Sequence, residues 1–378
     1  MKKNVLFYYP QHFNRSEEGT NPFFDPLLDT CNKYGISYDL LEEPDGGTDK
    51  PRNPKAKQAD VFFWTVTVIR KIFSILLKKK DFYQREKFVA KTLNWLTFNK
   101  YKYDRYVTIS GSMFHLFASL NTKGKVFDLQ HGVVYKHHPT FFEEENLKLK
   151  PYFYNSQLNF LFWGKGYEDC FIRGEEDILR GRTFIIGYPE KLARGGDMER
   201  FKKNEENKWI VISLQFTHSI TMEERIQQKE LLWQFLEQIE NLGYEVLLKN
   251  HPRYNKSIEI DDIFNRFKNV KLTSHTLEYL SQNALLHVTF YSTTAFEFAS
   301  YGIPTYFLYN KEQPIGETLF KGEYGYPLYW NLSIENVVKK LCNPDNRKED
   351  SNLVLEWYNK FYASFNEKSF IKALAFNQ

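Results

Sequence analysis

The stretch from Leu285 to Leu308, LLHVTFYSTTAFEFASYGIPTYFL, constrains the fold of this chain more than any other part of its sequence. Leu285 to Phe290 is a short apolar run typical of a buried strand, and a hydroxyl cluster follows it. Ala295 to Tyr301 has helical character, Gly302 ends it, and Pro304 opens a second apolar run. A strand, a turn, a helix and a strand in this order predict a parallel sheet covered by helices.

The hydroxyl cluster between the first strand and the helix is a candidate phosphate site. Ser292, Thr293 and Thr294 stand where free backbone N–H groups and hydroxyls meet at a helix N-terminus. Glu297 lies one turn into the helix, within reach of a sugar hydroxyl on the same ligand. The structural alternative is a Ser or Thr N-cap, with Glu297 completing a capping box. The sequence leaves both interpretations open.

Short apolar runs alternate with helical stretches through the rest of the chain. In the first half we expect strands at Asn4–Tyr9, Ile36–Leu41, Tyr106–Ile109, Lys125–Leu129, Leu158–Trp163 and Thr183–Ile186. In the second half we expect further strands at Trp209–Leu214, Tyr244–Leu248 and Val270–Leu272. Helices are expected at Pro22–Tyr34, Arg85–Phe98, Thr221–Leu242, Thr276–Ala284, Ser333–Leu341 and Asn352–Leu374. This alternation predicts the α/β class, with parallel sheets covered by helices on both faces.

The segment Glu190–Lys208 divides this pattern into two halves. It is polar and charged and holds a Gly-Gly pair, which is typical of a domain boundary. A chain of 378 residues is long enough for two domains of ordinary size. We predict one Rossmann-like domain over residues 1–190, a second over 208–345, and a helical segment over 350–378. The two domains are expected to face a central cleft.

Composition restricts the class of partner. The chain is 42% hydrophobic and 17% aromatic, which suffices for full hydrophobic cores and excludes a disordered protein. Its net charge of +4, with nearly balanced acids and bases, argues against nucleic acid as the main partner. Cys31, Cys170 and Cys342 form neither a zinc spacing nor a disulfide framework, which suits a reducing cytoplasm. The N-terminal apolar run is too short for a signal peptide and no run reaches transmembrane length, so we expect a cytoplasmic protein.

The segment Val61–Lys80, VFFWTVTVIRKIFSILLKKK, permits two interpretations. Arg70 and Lys71 interrupt it, so it does not suit a membrane-spanning helix. It suits a core helix whose basic C-terminus complements the helix dipole. We favour the core helix, because burial of such helices is the commoner case. The alternative is a helix lying on an anionic membrane, which would make the protein peripheral on the cytoplasmic face.

Polar side chains follow the predicted strands at their C-terminal ends, where open α/β sheets bind their ligands. The candidates are Ser110, Ser112, Gln130, His131 and Gly132 in the first half, and Gln215, Lys249, His251, Arg253 and the turn Ser292–Thr294 in the second. Because both halves gather polar groups in this way, we predict that these residues line a cleft between two domains.

His131 is the strongest candidate for acid–base chemistry. It stands at a predicted strand end, and Gly132 beside it permits a tight turn or the close approach of a ligand. An imidazole titrates near neutral pH, so it can take a proton from an acceptor hydroxyl. The alternative is a structural histidine that is hydrogen-bonded to a loop. The neighbouring His137 and His138 are expected in an exposed turn, since their spacing from His131 is not a zinc pattern.

The sequence KNHPR, Lys249–Arg253, directly follows a predicted strand. Pro252 fixes the backbone after His251, and His251 and Arg253 could both donate hydrogen bonds to a phosphate. The alternative is a basic turn on the surface. Together with the Ser/Thr turn, this segment would give one domain two anion-binding turns, which favours a nucleotide ligand there.

Several familiar catalytic motifs do not occur. The sequence has no P-loop, GxGxxG, kinase or GxSxG motif, so phosphoryl transfer from ATP and dinucleotide redox chemistry have little support. No acidic pair of the DxD type stands at a strand end. We therefore expect a site without a metal or cofactor, in which His, Arg and a helix N-terminus carry the charge of a leaving phosphate.

Three motifs together, LQHGVVYK, LLKNHPR and TFYSTTAFEFASYGIP, resemble those of bacterial capsule and surface-polysaccharide glycosyltransferases with the GT-B fold. They are similar to motifs of the Kdo-transferase type capsule proteins, the CDP-glycerol glycerophosphotransferases, and the sialyltransferases with an HP and a Ser/Thr motif. The resemblance covers the middle and C-terminal parts of the chain.

The resemblance implies a role for each matching residue. It makes His131, in the HG turn, the catalytic residue. It places the nucleotide phosphate against His251, with Arg253 beside it, and the donor phosphate against Ser292–Thr294. It also implies that Glu297, upstream of a GxP turn, holds the ribose.

The resemblance further implies the activity. The expected reaction moves a sugar from a nucleotide-activated donor, with a CMP-sugar favoured, to a growing surface polysaccharide or a glycolipid. The last helical segment, Asn352–Leu374, is then expected to cross back to the first domain. Three alternatives stay open: a CDP-polyol phosphotransferase of the same fold, a UDP-sugar epimerase, and a non-catalytic glycan-binding protein.

Overall fold

The computed structural model describes residues 4–136, 138, 140–189, 209–217, 220–251, 254, 258–308 and 315–375. These residues form two compact units. Unit 1 comprises the described residues up to 189 together with 361–375, and unit 2 comprises those from 209 to 360. The expected boundary Glu190–Lys208, His137 and Arg253 lie outside the described residues.

Unit 1 is built on a parallel sheet. Its strands are β1 (Val5–Pro10), β2 (Tyr38–Glu43), β3 (Lys57–Gln58), β4 (Arg105–Ile109), β5 (Lys125–Leu129), β6 (Leu158–Phe162) and β7 (Thr183–Ile185). Seven strands pair in the order β3-β2-β1-β4-β5-β6-β7. Every residue of β1 and of β6 is buried, because helices cover a parallel sheet on both faces.

The helices of unit 1 bury apolar faces against this sheet. They are α1 (Asp25–Lys33), α2 (Asp60–Leu76), α3 (Phe82–Leu96), α4 (Phe114–Leu120), α5 (Lys165–Ile172) and α6 (Glu176–Leu179). On one face, Tyr8 of β1 packs edge-on against Phe62 of α2 and Phe117 of α4, with ring centroids 5.7 and 5.2 Å apart. On the other, Phe7 packs against Phe24, just before α1, at 5.4 Å. Aromatic pairs thus form much of the core on both faces.

Unit 2 repeats the arrangement with a smaller sheet. Its strands are β8 (Trp209–Ser213), β9 (Glu245–Lys249), β10 (Val270–Leu272), β11 (Ala284–Thr289) and β12 (Thr305–Phe307). Five strands pair in parallel in the order β10-β9-β8-β11-β12. The α/β class with two parallel sheets, predicted from the alternation of strands and helices, is confirmed.

The helices of unit 2 are α7 (Met222–Ile239), α8 (Asp261–Arg266), α9 (Leu277–Asn283), α10 (Thr294–Ala299), α11 (Ile334–Cys342) and α12 (Pro344–Phe361). A capping box starts α7: Glu224 N donates to Thr221 Oγ1 at 3.2 Å, and Thr221 N donates to Glu224 Oε2 at 2.6 Å. Gly302 ends the turn after α10 in the left-handed conformation, with φ +67°. None of the helices in the described ranges has the length and hydropathy needed to cross a membrane.

The last helical segment differs from its prediction. The sequence predicts one helix over Asn352–Leu374, whereas the structure ends α12 at Phe361 and starts α13 (Glu367–Leu374) after a break. The helix is interrupted because the segment between α12 and α13 pairs with the end of β7. Tyr188 N donates to Ala363 O, and Asn366 N donates to Ile186 O, each at 2.8 Å. Residues 361–375 therefore complete unit 1.

Candidate active site

The order of the strands in unit 2 indicates where a ligand would bind at the edge of its sheet. From β8 the chain adds β9 and β10 on one side of the sheet, and then β11 and β12 on the other side. The strand order therefore switches between β8 and β11. Open α/β sheets bind ligands beyond the carboxyl ends of the strands at such a switch point. Gln215 follows β8 there, and Tyr291 follows β11. Tyr291 N donates to Gln215 Oε1 at 2.8 Å, so Gln215 fixes the start of the hydroxyl turn.

The hydroxyl turn leads directly into α10. Thr293 occupies the N-cap position, yet its side chain makes no capping hydrogen bond. Ser292 Oγ accepts from Thr294 N at 3.3 Å, which closes a local hydroxyl turn. Thr293 is exposed, whereas Ser292 and Glu297 are half-buried. The capping alternative thus lacks the hydrogen bond from a Thr293 N-cap, and Thr293 is exposed.

A buried histidine, His287, supports this turn from inside the sheet. Its Nε2 lies 2.9 Å from Ser213 Oγ and 3.3 Å from Thr294 Oγ1, and its Nδ1 lies 3.0 Å from Thr305 Oγ1. Its ring stacks on Phe298 at 4.0 Å. Burial lowers the pKa of His287 to about 3, so the ring is neutral. Thr294 therefore faces the core, and His287 is a positioning residue that the sequence analysis missed.

The KNHPR segment begins at the end of β9 with Lys249, which contacts another loop of unit 2. Lys249 Nζ donates to Ser274 O at 3.3 Å and to His275 O at 2.6 Å, so it ties the end of β9 to the loop after β10. Asn250 Oδ1 is buried and finds no partner within the described ranges. His251 is half-buried at the same strand end. The same edge of the sheet therefore carries amide and imidazole groups as well as the hydroxyl turn.

Unit 1 has its own switch point, between β1 and β4. After β4 the chain turns sharply, because Ser110 and Gly111 both adopt the left-handed conformation, with φ +62° and +66°. Such a conformation costs a non-glycine residue roughly 1 kcal/mol, so the surrounding structure must hold Ser110 there. Ser112 Oγ donates to Glu43 Oε2 at 3.1 Å, which joins this turn to the end of β2.

Asp128 fixes this strained turn with hydrogen bonds from its carboxylate. Its Oδ1 accepts from Gly111 N at 2.8 Å and from Thr108 Oγ1 at 3.2 Å. The residue is 6% exposed. Burial raises its pKa to about 7, although both hydrogen bonds favour the ionised form. Asp128 is therefore a second positioning residue, and the sequence analysis did not single it out.

Replacing Asp128 by asparagine removes the ionisation but keeps a carbonyl oxygen for both hydrogen bonds. The carboxyl has a pKa near 4 in the unfolded chain and a raised pKa in the folded chain. The stability it contributes is thus complete below about pH 4 and lost as the pH rises to about 7. We expect the stability of Asp128→Asn relative to the wild type to rise by about 3 kcal/mol between pH 5 and pH 8. Urea unfolding at both pH values measures this difference, and a difference independent of pH would contradict the prediction.

A hydrogen bond between Gln130 and Gly132 fixes the turn that contains His131. Gln130 Nε2 donates to Gly132 O at 2.7 Å, and Trp163 N donates to Gln130 Oε1 at 3.0 Å. Both ends of this amide are engaged, and the residue is only 6% exposed. Gln130 therefore fixes the ends of β5 and β6 relative to each other, which in turn fixes the position of His131.

His131 lies at the surface of this strand end, with more than a third of its area exposed. Its ring meets the ring of Phe13 edge-on, with centroids 5.6 Å apart. Partial desolvation, and then the charges of His138 and His12, lower its pKa below the usual value near 6.5. The imidazole is therefore neutral at pH 7, which is the state a general base requires.

A second imidazole lies close to His131 and was missed from the sequence. His12 follows the end of β1 at the switch point, and its Nδ1 lies 2.6 Å from Asp45 Oδ2. Phe13 lies between the two imidazoles, since its ring also contacts that of His12 at 4.4 Å. The only sequence signal was its position, three residues after the apolar run Asn4–Tyr9.

The described residues contain no cluster of three His, Cys, Asp or Glu side chains that could hold a metal ion. The strand ends instead present imidazoles and hydroxyls. In unit 1 these groups can accept and relay a proton. In unit 2 they can donate hydrogen bonds to an anion.

Comparison with known proteins identifies the fold. No protein-family model matches the sequence, and no curated protein matches it. A variant of the wall teichoic acid polymerase TagF matches the structure with a TM-score of 0.52 at 14% identity, over 98% of this chain and 87% of that chain. The chain has the GT-B fold. The fold predicted from the three motifs is thereby confirmed.

Two further solved structures are similar over nearly all of both chains. The glycotransferase of kitacinnamycin has a TM-score of 0.50 at 12% identity, over 99% of this chain and 98% of that chain. The UDP-GlcNAc 2-epimerase from Methanocaldococcus jannaschii has a TM-score of 0.49 at 16% identity, over 98% of each chain. At such identities, likeness to solved structures bears on the fold alone.

Proposed function

We propose that this GT-B chain is a glycosyltransferase that moves a sugar from a nucleotide-activated donor to a hydroxyl of a surface polysaccharide or glycolipid. The observation that carries the proposal is a neutral, surface-exposed imidazole, His131, at the carboxyl edge of the sheet of unit 1. The exposed hydroxyl turn at the switch point of unit 2 supports it. A base and an anion site are the two elements that glycosyl transfer from a nucleotide requires.

Unit 2 is proposed to bind the donor. Ser292 and Thr293 would donate hydrogen bonds to the donor phosphate, together with the backbone at the start of α10. His251 would contact the nucleotide phosphate, and Arg253, which lies outside the described residues, would stand beside it in sequence. Glu297, half-buried one turn into α10, would accept hydrogen bonds from the ribose hydroxyls.

Unit 1 is proposed to supply the base. An acceptor hydroxyl attacks the anomeric carbon of the donor sugar, and the bond from that carbon to the phosphate oxygen breaks. The hydroxyl proton passes to His131, and the nucleotide leaves with the bonding electron pair. The charge on the leaving phosphate is then stabilised by the donors around Ser292 and His251. This scheme assigns no step to a metal ion.

A second candidate is the transfer of a polyol phosphate from a CDP-polyol, with attack at phosphorus. It is suggested by the fold shared with TagF, a wall teichoic acid polymerase. The same residues would act, because a base and an anion site serve both reactions. The two reactions differ in the bond that breaks, so the products separate them.

The test supplies the full-length chain with CMP-sugars, UDP-sugars and CDP-glycerol, each labelled in a phosphate, and with bacterial polysaccharide and glycolipid acceptors. Glycosyl transfer releases all label in the free nucleotide. Polyol phosphate transfer moves the label of the β-phosphate into the acceptor. Conversion of a free nucleotide sugar without acceptor would indicate an epimerase, and no turnover of any donor would favour a glycan-binding protein. Either of these last two outcomes would overturn both transferase proposals.

A further inference from the structure

Helix α2 has a second apolar face that points away from the core. Phe62, Val66 and Ile69 are buried and pack towards the sheet. A separate stripe is exposed, with spacings of three and four residues that place it on one side of the helix. Its members are Val61, Trp64, Val68, Ile72, Ile75 and Leu76, exposed by 48 to 80%. Single exposed apolar residues are ordinary, but a continuous stripe of this length marks an interaction surface.

The apolar surface continues onto α3. Phe73 of α2 meets Phe88 of α3 with ring centroids 5.9 Å apart, and Phe88 is itself 40% exposed. Beyond it, Trp95 is 76% exposed and Phe98 is 93% exposed. We call the exposed side of these two helices, residues 60–102, the α2–α3 face.

A partly buried ion pair joins the two helices of this face. Arg70 Nε and an Nη of Arg70 donate to the two carboxylate oxygens of Glu86 at 2.8 and 2.7 Å, which ties α2 to α3. Glu86 is 1% exposed. The exposed apolar residues of the two helices therefore form one joined surface.

The charge of the face is opposite to that of the rest of the chain. Residues 60–102 contain ten Lys or Arg and three Asp or Glu, a net charge of +7, whereas the whole chain carries +4. All other residues together therefore carry −3. The Lys78–Lys80 run stands at the end of the apolar stripe and is exposed. The face thus combines large apolar side chains with a local excess of positive charge.

We propose that the α2–α3 face docks on an anionic lipid bilayer. Trp, Ile and Leu side chains enter the boundary between headgroups and acyl chains, while lysines at the border bind anionic headgroups. A second copy of this chain is a poorer occupant, because two faces of the same strong positive charge repel each other. The proposal goes beyond the transferase activity and does not depend on it.

The test is flotation of the full chain with phosphatidylcholine vesicles, alone and with about a third phosphatidylglycerol, which supplies the anionic surface. The wild type is expected to float with the anionic vesicles and to remain unbound with the neutral ones. The apolar variant Trp64→Gln/Ile72→Gln/Trp95→Gln and the charge variant Lys78→Glu/Lys79→Glu/Lys80→Glu are each expected to bind at least about tenfold more weakly. All six residues are exposed, so both variants should keep the thermal unfolding midpoint of the wild type.

The matched control is Met222→Gln/Ile226→Gln, which alters two apolar residues exposed by 47 and 46% on α7 of unit 2. It is expected to float like the wild type. An equal loss in this control would overturn the proposal, as would a wild type that binds neither kind of vesicle. The proposal would also be overturned if the wild type formed a dimer in sedimentation, the apolar variant did not, and the wild type bound no vesicles. The occupant of the face would then be a second copy of the chain. Nucleotide binding measured on the same variants separates these outcomes from a failure of the proposed transferase activity.

Discussion

Replacing His131 by alanine is expected to lower turnover by at least about 100-fold, the usual contribution of a general base. The imidazole lies at the carboxyl end of β5, and partial desolvation and two neighbouring histidines lower its pKa. It can therefore accept a proton at pH 7. The nucleotide dissociation constant should be unchanged, because none of the residues proposed to bind the donor is altered. Steady-state donor consumption and a binding titration measure the two effects.

The control for this variant is His275→Asn, which alters an exposed histidine after β10 that has no proposed role. It should keep wild-type turnover. The pH profile gives an independent readout. Because desolvation and then the charges of His138 and His12 lower the pKa of His131 to about 4, kcat/KM should fall only as the pH approaches about 4, and this acid limb should be absent in His131→Asn. Wild-type turnover in His131→Ala would remove this residue from the mechanism.

Replacing Gly187 by alanine is expected to destabilise unit 1 by about 4 kcal/mol or more, the range of severe single substitutions. Gly187 has φ +83°, in the left-handed region. An added Cβ would overlap the backbone carbonyl of Ser364 and lie 2.6 Å from Phe365 Cα. These are backbone atoms of the segment that pairs with the end of β7, so they cannot move aside without breaking that pairing.

Gly181→Ala is the matched control for this effect. Gly181 also lies in unit 1, has φ +71°, and has no heavy atom within 4 Å of an added Cβ. It therefore isolates the conformational cost, roughly 1 kcal/mol, from the overlap. Thermal and urea unfolding of both variants measure the difference. Equal destabilisation by the two substitutions would show that the C-terminal segment does not pack against Gly187.

The parts of the fold that were predicted from the sequence are those set by local patterns. Short, mainly apolar runs such as β1 and β6 favour strands buried on both faces, and β11, the hydroxyl turn and α10 follow one another as predicted. The last helix was predicted too long. Its break is caused by hydrogen bonds between Asn366 and Ile186, which are far apart in sequence and leave no periodic signal.

In the candidate site, too, local patterns predicted some residues and not others. His131, His251 and Ser292 stand at strand ends that the sequence marks directly, and whether they act as proposed remains a prediction. The residues that support them were missed. Asp128 and His287 stand inside strands and resemble ordinary core positions until the hydrogen bonds to Gly111 and Thr294 are seen. Lys249 is the opposite case. Its place in the sequence makes it a candidate for lining the cleft, but its amine donates to backbone carbonyls in a neighbouring loop. Such pairings depend on which strands become neighbours, which local sequence does not specify.

The most direct measurement of the central claim is a thermal-shift screen of the full chain with CMP, CDP, UDP and GDP, with and without magnesium. A ligand at a hundred times its dissociation constant stabilises the folded protein by about 2.7 kcal/mol, which such a screen detects. We expect a clear shift with one nucleotide, equal in the presence and absence of magnesium. CMP would indicate a CMP-sugar donor, and CDP would favour polyol phosphate transfer. The absence of a shift with every nucleotide would contradict the claim that this GT-B chain uses a nucleotide-activated donor.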